Sequence, residues 1–358
     1  MKRFKTLYLH IGLGKTGTTS VQADLLAKSA ELEARHDLLY PSHFPHEPHF
    51  LGNHSRLLRT QFADSETVRR RLAARGLVTD QSIATYNRKT LECLQACFAA
   101  SKATRLLLSA ETVGHFAGDD MLGLAELLRG YAEEIRVIAC LRHPAHALSS
   151  EIQQRLNIGD TLENLYSNPP SYRFKSLFTR VEQAFGDDAV VVYDFAEARE
   201  CQRGLTWMLF DKLGIDVGDL FQVRPPANTS MSHEAALLIS ALNTRRPLLV
   251  NGVPNPLRQD NAMQKIMKVP GRKFSAPAEV YEKLESRVHN DLEWLQRHYH
   301  LQLQAAHPVP VADERHFSDE SIEALALQMA DLARFRSRVL SPMSTLTGWV
   351  RAGWQKLF

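Results

Sequence analysis

The chain has 358 residues, with 43 lysine and arginine and 40 aspartate and glutamate side chains, so its formal net charge is +3. Hydrophobic residues make up 44% and charged residues 23%, which excludes a disordered chain, a collagen and a coiled-coil rod. The small net charge gives no nucleic-acid signal, and four cysteines form no disulfide framework. Because no apolar run approaches the roughly 18 residues of a membrane span, we expect a cytoplasmic protein without a transmembrane segment.

Short apolar runs alternate with helical patterns through the first part of the chain. Strands are predicted at 6–11, 38–40, 105–109, 135–141 and 189–193, and helices at 18–35, 83–100, 120–132, 145–157, 172–185 and 198–213. This alternation predicts an α/β fold of the P-loop type, a three-layer sandwich around a central parallel sheet. Ligands in such sheets bind beyond the carboxyl ends of the strands, so the residues after each strand are the candidates for function.

The chain changes character beyond about residue 215, where no further strand is predicted. Helical patterns follow at 232–245, 277–298 and 318–340, separated by a segment at 247–276 that is rich in Pro, Gly, Asn, Arg and Lys. The sequence therefore predicts one domain over residues 1–300, with an α/β core at about 5–215 and a helical and loop part at about 216–300. A helical C-terminal tail follows at 301–358.

A loop rich in glycine and threonine follows the first strand and opens the first helix. It reads HIGLGKTGTTS, with Lys15 among three glycines, three threonines and a serine. Glycines let the backbone approach an anion, and the helix N-terminus, the hydroxyls and the lysine favour a phosphate or sulfate there. A Walker A loop would need a glycine five positions before Gly14, where this chain has Leu9. The better description is Lys-x-Gly-Thr-Thr.

The stretch LHIGLGKTGTTSVQ resembles the 5′-phosphosulfate loop of sulfotransferases that use 3′-phosphoadenosine 5′-phosphosulfate (PAPS), and most closely their bacterial branch. In that family the residue before the lysine is commonly Pro or Arg, and here it is Gly14. The resemblance implies PAPS as the co-substrate, with no metal required. The residues it implies for the phosphosulfate are Gly14, Lys15, Thr16, Gly17, Thr18, Thr19 and Ser20.

A second part of the family pattern concerns the 3′-phosphate of the nucleotide. The strand IRVIACL is followed by Arg142, and Ser150 stands eight residues further on, in the predicted helix. Arginine offers a planar fork suited to phosphate, and serine offers one hydroxyl. The resemblance implies that both hold the 3′-phosphate, and that a later basic loop with Arg272 and Lys273 closes over it. Further similar segments extend the resemblance over most of residues 5–300.

Sulfuryl transfer requires charge stabilisation and a base for the acceptor proton. The resemblance implies that Lys15 stabilises the developing negative charge. Glu111 is the first candidate base, because it lies two residues beyond the strand RLLLS, although local helix capping is the alternative. His54 is the second candidate, in a cluster with His43, His46 and His49 whose spacing also allows a metal but matches no standard zinc pattern.

The predicted acceptor is a small molecule or a glycan hydroxyl, on the strength of the resemblance alone. The alternatives are an ATP- and Mg²⁺-dependent kinase, for which Asp194 after the strand VVVY resembles a Walker B carboxylate, and a non-catalytic nucleotide-binding module. Asn228 and Ser230 are candidate acceptor contacts. The apolar tail at 341–358 has three alternatives: packing on the domain, oligomerisation, or peripheral contact with a membrane.

Overall fold

A computed structural model describes residues 3–47, 49–62, 69, 72–73, 76–223, 231–250, 253–258, 262–304, 319–320 and 322–332. The chain divides into two compact units. The first comprises Met1–His143, Tyr172–Pro225 and Val288–Ala305, and the second comprises Pro144–Ser171, Pro226–Arg287 and Ala306–Phe358. The domain boundaries that the sequence suggests, 1–300 and 301–358, stay a prediction.

The strands in chain order are β1 (Phe4–His10), β2 (Leu38–Leu39), β3 (Arg105–Ser109), β4 (Ala132–Leu141), β5 (Val190–Asp194), β6 (Leu249–Val250) and β7 (Val253–Pro254). The helices are α1 (Thr18–Ala27), α2 (Ser29–His36), α3 (Ser55–Phe62), α4 (Asp80–Ala100), α5 (Gly118–Arg129), α6 (Pro144–Asn157), α7 (Leu162–Ser167), α8 (Phe174–Phe185), α9 (Phe195–Glu200), α10 (Leu205–Lys212), α11 (His233–Arg245), α12 (Ala262–Ile266) and α13 (Ala278–Tyr299). Short 3₁₀ helices lie at Glu111–His115, Asp187–Ala189 and Pro256–Arg258.

The first unit is built on a five-stranded sheet in the order β2-β3-β1-β4-β5, with every pairing parallel. The register sets His10 opposite Ser109 on one side and opposite Ile138 on the other. Strands β1 and β3 therefore end at the same level, and the segments that follow them begin side by side.

Successive side chains of the strands enter two different hydrophobic cores, as alternation along a strand requires. Leu7 and Leu9 join a core with residues of α3, α4, α5 and α8. Tyr8 and Leu107 join a second core with residues of α1, α2 and α10. Helices thus cover both faces of the sheet, which confirms the predicted three-layer α/β sandwich with a central parallel sheet.

Two predicted helices are each divided in the structure. The predicted helix 18–35 breaks at Lys28, whose backbone leaves the helical region, so that α2 starts afresh at Ser29. The predicted helix 198–213 breaks between α9 and α10, where Gly204 has a φ of 89°. Apolar periodicity alone does not register breaks of this kind, because the helical pattern resumes after one or a few residues.

The second unit is helical, with α6, α7, α11, α12 and the first part of α13. Asn243 of α11 donates to the carbonyl oxygens of Leu156 and Asp160 at 2.8 and 2.6 Å, which ties α11 to the end of α6. The prediction of no strand beyond 215 was wrong for the short antiparallel hairpin β6–β7, since strands of two residues present no periodic pattern. Residues 319–320 and 322–332 are helical, within the predicted helix 318–340. In the described part of the chain, no helix is both long and apolar enough to cross a bilayer.

Candidate active site

The loop between β1 and α1 is shaped by two glycines. Gly17 caps α1 in the left-handed region, with a φ of 76°, and a Cβ on it would lie 2.5 Å from Leu205 Cδ1. A Cβ on Gly12 would lie 2.5 Å from Thr18 Oγ1, so the backbone at Gly12 packs directly on the first residue of the helix. Both positions therefore exclude larger side chains, and the loop folds back over the N-terminus of α1.

The hydroxyls of the loop divide into buried and exposed ones. Thr16 and Thr18 are buried; Thr16 Oγ1 donates to Leu13 O at 2.7 Å and lies 3.3 Å from Thr18 Oγ1. Thr19 and Ser20 are exposed. The first turn of α1 has no acidic residue and its cap makes no side-chain hydrogen bond. The partial positive charge at this helix end is therefore available to an anion.

Lys15 and Arg142 meet at this loop, from positions 127 residues apart in the sequence. Arg142 follows β4, and its Nη1 donates to the carbonyl oxygen of Lys15 at 2.9 Å. Lys15 is half-buried and has a φ of 68°, in the left-handed region that only glycine adopts without strain. The structure thus brings together two residues that the sequence pattern assigned to opposite ends of one nucleotide.

The surroundings of Arg142 favour an anion. Its guanidinium carbon lies 5.0 Å from the centroid of the Phe195 ring, and its Nε is buried without a hydrogen-bond partner in the described part of the chain. Burial and the positive charge of Arg199 lower the pKa of Arg142. Among the described residues no carboxylate forms an ion pair with Arg142, so a bound anion would supply the missing negative charge.

A buried polar network lies at the ends of β1 and β3, next to the loop. His10 Nδ1 lies 2.9 Å from Ser109 Oγ, and Gln22 Nε2 of α1 donates to the same oxygen at 3.0 Å. Burial lowers the pKa of His10 to about 4, so the ring is neutral at physiological pH. The network links the strand before the loop, the helix after it and the strand that leads to Glu111.

Glu111 is the first residue of the 3₁₀ helix that follows β3, and it is half-buried. The same 3₁₀ helix packs on the loop, since a Cβ on Gly114 would lie 3.3 Å from Leu13 Cδ2. Ala110 N–H donates to His10 O at 2.8 Å, which fixes the backbone just before Glu111 against the end of β1. These contacts set the Glu111 backbone beside the loop, and its role as base stays a prediction.

His54 is fully engaged in backbone hydrogen bonds. Its Nδ1 accepts the Ser109 N–H at 3.1 Å, so the ring proton is on Nε2, which donates to Pro41 O at 2.9 Å. Burial lowers the pKa of His54 to about 4. Neither nitrogen is left to accept a proton from a substrate, and this arrangement suits a structural role better than that of a base.

The other histidines of the cluster are dispersed. His43 and His49 are exposed, whereas His46 Nε2 lies 2.9 Å from Thr90 Oγ1, and the Cys93 thiol lies 3.8 Å from its Nδ1. In the described ranges no group of three or more His, Cys, Asp or Glu side chains is arranged to hold a metal ion.

Asp194 ends β5 and is buried. Its Oδ1 accepts the Ala196 N–H at 2.9 Å as the N-cap of α9, and its Oδ2 accepts the Gln304 N–H at 3.0 Å. Both carboxylate oxygens are therefore occupied by backbone groups, which is unlike a Walker B carboxylate that faces Mg²⁺.

The remaining candidates lie in the second unit. Ser150 is half-buried on α6. Arg272 lies 3.9 Å from Glu234 in an ion pair, and the Arg272 carbonyl accepts the His233 N–H at 2.7 Å. Lys273 forms an isolated antiparallel bridge with Ser232. The basic loop is thus attached to the start of α11. Asn228, Ser230 and the segment 341–358 lie outside the described residues.

Sequence reasoning did not select His10, Gln22, Ser109 or Phe195 as site residues. One signal was available: His10 and Ser109 are polar residues at the very ends of buried apolar strands, where a polar side chain needs a specific partner. No comparable signal marks Gln22 or Phe195, because their contacts arise between segments that are distant in the sequence.

No family model and no curated protein matches the chain. Among solved structures it is similar to a sulfotransferase from Alicyclobacillus acidocaldarius, with 14% identity and a TM-score of 0.37 over 69% of this chain and 95% of that one. It is also similar to the sulfotransferase domain from the curacin biosynthetic pathway, with 12% identity and a TM-score of 0.31 over 81% and 99% of the two chains.

Proposed function

We propose that this protein is a sulfotransferase that moves the sulfuryl group of PAPS to an acceptor hydroxyl, in particular that of a carbohydrate or glycan. The observation that carries the proposal is the contact between Arg142 and the carbonyl of Lys15. It joins a lysine-bearing anion loop to an arginine that has no carboxylate partner among the described residues. A donor with phosphate groups at both its 5′ and 3′ positions needs two such cationic groups close together.

The proposed reaction is an in-line displacement. The acceptor oxygen attacks sulfur, a new S–O bond forms, and the S–O bond to the 5′-phosphate breaks, so that adenosine 3′,5′-bisphosphate leaves. Lys15 and the N–H groups at the start of α1 stabilise the negative charge that develops on the bridging oxygen. Glu111 takes the acceptor proton. The backbone N–H groups and hydroxyls of the loop hold the phosphosulfate, with Lys15, and the residues are Gly14, Thr16, Gly17, Thr18, Thr19 and Ser20. Arg142 and Ser150 hold the 3′-phosphate.

The contacts of Asp194 weigh against the kinase alternative. A kinase of this fold type holds Mg²⁺ with a carboxylate after a strand, and both oxygens of Asp194 instead accept backbone N–H groups. The proposed sulfotransferase needs no metal.

A cytoplasmic location fits the proposal, since all four cysteines are free thiols. We further propose that Arg272 and Lys273 contact the 3′-phosphate, and that the tail at 341–358 makes a peripheral contact with a membrane.

Thermal unfolding of the full chain with different nucleotides tests the nucleotide class. A ligand at 100 times its dissociation constant stabilises a protein by about 2.7 kcal/mol, enough to raise the melting temperature by several degrees. We expect this increase with adenosine 3′,5′-bisphosphate and not with ATP and Mg²⁺. An increase only with ATP and Mg²⁺ would replace the proposal with a kinase.

Turnover with radiolabelled PAPS and a panel of glycan acceptors tests the reaction itself. Lys15→Ala is expected to lower the rate by about 10²–10³-fold, as for the loss of one group that stabilises transition-state charge. Glu111→Gln is expected to lower it by about 10²–10⁴-fold while adenosine 3′,5′-bisphosphate still binds. Tight binding of that nucleotide without turnover on any acceptor would favour the non-catalytic module.

A further inference from the structure

The contact between Arg142 and Lys15 joins a side chain to a backbone carbonyl, not two side chains. Arg142 Nη1 donates to Lys15 O at 2.9 Å, and the guanidinium carbon lies over the Phe195 ring, 5.0 Å from its centroid. An arginine held in this way fixes the peptide group between Lys15 and Thr16. The direction in which the Lys15 backbone presents its side chain depends on that peptide group.

The backbone of Lys15 needs such support. A residue other than glycine is strained in the left-handed region, and it stays there only where surrounding contacts fix it. On one side, Thr16 Oγ1 donates to Leu13 O at 2.7 Å. On the other side, the contact with Arg142 holds the Lys15 carbonyl. Loss of the arginine would leave the loop free to relax toward an ordinary conformation.

We propose that Arg142 is a positioning residue for Lys15, in addition to its contact with the 3′-phosphate. The guanidinium has five N–H donors, and one of them donates to the Lys15 carbonyl oxygen. A phosphate bound by the other donors restrains the guanidinium further, and through it the loop. The 3′ end of the nucleotide thereby controls the geometry of the lysine at its 5′ end. This inference rests on the proposed function for the identity of the nucleotide, but the loop contact itself does not.

Binding of two nucleotides to the full chain tests the inference. Adenosine 3′,5′-bisphosphate has both phosphates, whereas AMP has only the 5′-phosphate. If Arg142 positions Lys15, Arg142→Ala weakens AMP binding by about tenfold or more, because a hydrogen bond that involves a charged group is lost. If Arg142 touches only the 3′-phosphate, AMP binds both proteins equally, and the inference is overturned.

Two further variants sharpen the result. Arg142→Lys keeps an N–H donor for the Lys15 carbonyl but loses the planar fork, so it should recover AMP binding while losing the preference for the bisphosphate. Arg203→Ala is the matched control, since Arg203 is an exposed arginine that pairs with Asp219 and lies over Trp207. Its AMP binding should equal that of the wild type. If Arg142→Lys binds AMP as weakly as Arg142→Ala does, the positioning role is contradicted.

Hydrogen exchange of the unliganded protein supplies a second readout that needs no ligand. The Ser20 and Val21 amides, which donate to the carbonyl of Gly17 at the end of the loop at 2.9 and 3.2 Å, should exchange at least tenfold faster in Arg142→Ala than in Arg203→Ala, while amides in β3 stay unchanged. Equal exchange in the loop would overturn the inference even if AMP binds too weakly to measure. If the wild type does not prefer the bisphosphate over AMP, the proposed function fails, and the loop exchange still decides the positioning role.

Discussion

The imidazole of His54 accepts the backbone N–H of Ser109 on Nδ1, and the His54 N–H in turn donates to the Ser109 carbonyl at 2.8 Å. The next residue continues the pairing, because Ser55 Oγ accepts the Thr112 N–H at 3.0 Å. Residues 54 and 55 therefore hold the chain on both sides of Glu111. His54, the second candidate base, thus supports the segment that carries Glu111, the first candidate.

The first prediction concerns this support. His54→Ala leaves the buried Ser109 N–H and Pro41 carbonyl unpaired, so we expect a loss of about 2–4 kcal/mol in unfolding free energy by denaturant titration. His54→Asn retains an acceptor for Ser109 and should lose less stability. It should also keep measurable turnover with an unchanged acid limb in its pH–rate profile. If both variants bind the nucleotide normally but neither has measurable turnover, His54 would be the base after all.

The second prediction concerns pH. Burial lowers the pKa of His10 and of His54 from 6.5 to about 4. Below pH 6.5 these histidines are protonated in the unfolded chain but stay neutral in the folded protein. Their neutral burial therefore contributes its full stability above pH 6.5, and the free energy of unfolding decreases as the pH falls toward 4. The loss approaches about 3 kcal/mol for each histidine.

Thermal unfolding between pH 7 and 4.5 measures this loss. His54→Asn should show a shallower decline than the wild type, whereas the exposed His49→Asn should follow the wild type. If the melting temperatures of the wild type and His54→Asn decrease in parallel with pH, another group is responsible for the loss of stability in acid.

The third prediction separates the structural and metal-binding interpretations of Asp194. Asp194→Ala removes the N-cap of α9 and the acceptor for Gln304, so it should destabilise the fold by about 1–3 kcal/mol. Affinity for adenosine 3′,5′-bisphosphate, measured by calorimetry below the melting temperature, should stay within about threefold of the wild type. Asp188→Ala, at an exposed position, is the control. Nucleotide binding that requires Mg²⁺ and disappears in Asp194→Asn would contradict this interpretation.

The fourth prediction concerns the close packing of the loop. Gly12→Ala places a Cβ 2.5 Å from Thr18 Oγ1, so either Thr18 or the loop must move. We expect a loss of about tenfold in affinity for adenosine 3′,5′-bisphosphate. Gly118→Ala, where a Cβ meets no atom within 4 Å, should bind as the wild type does. Equal affinity in the two variants would indicate that the loop adapts without cost.

The conformation of the loop between β1 and α1 could be predicted from the sequence alone. Three glycines, Lys15 and a run of hydroxyl residues after a buried strand predict a tight turn into a helix, and the binding of an anion there stays a prediction. The alternation of apolar strands and helical patterns likewise predicted the parallel sheet with helices on both faces. Both are properties of short segments, in which the residue types themselves limit the conformations.

The partners of those residues were decided by the tertiary structure. Arg142 reaches the Lys15 carbonyl across 127 residues of sequence, and His54 has its tautomer fixed by Ser109, 55 residues away. Asp194 ends a strand, as a metal-binding carboxylate of this fold type would. Its oxygens instead accept the Ala196 N–H, which makes it a helix cap, and the Gln304 N–H. A hydrogen bond depends on distance and direction between two particular atoms, and these arise only when the strands are paired in register.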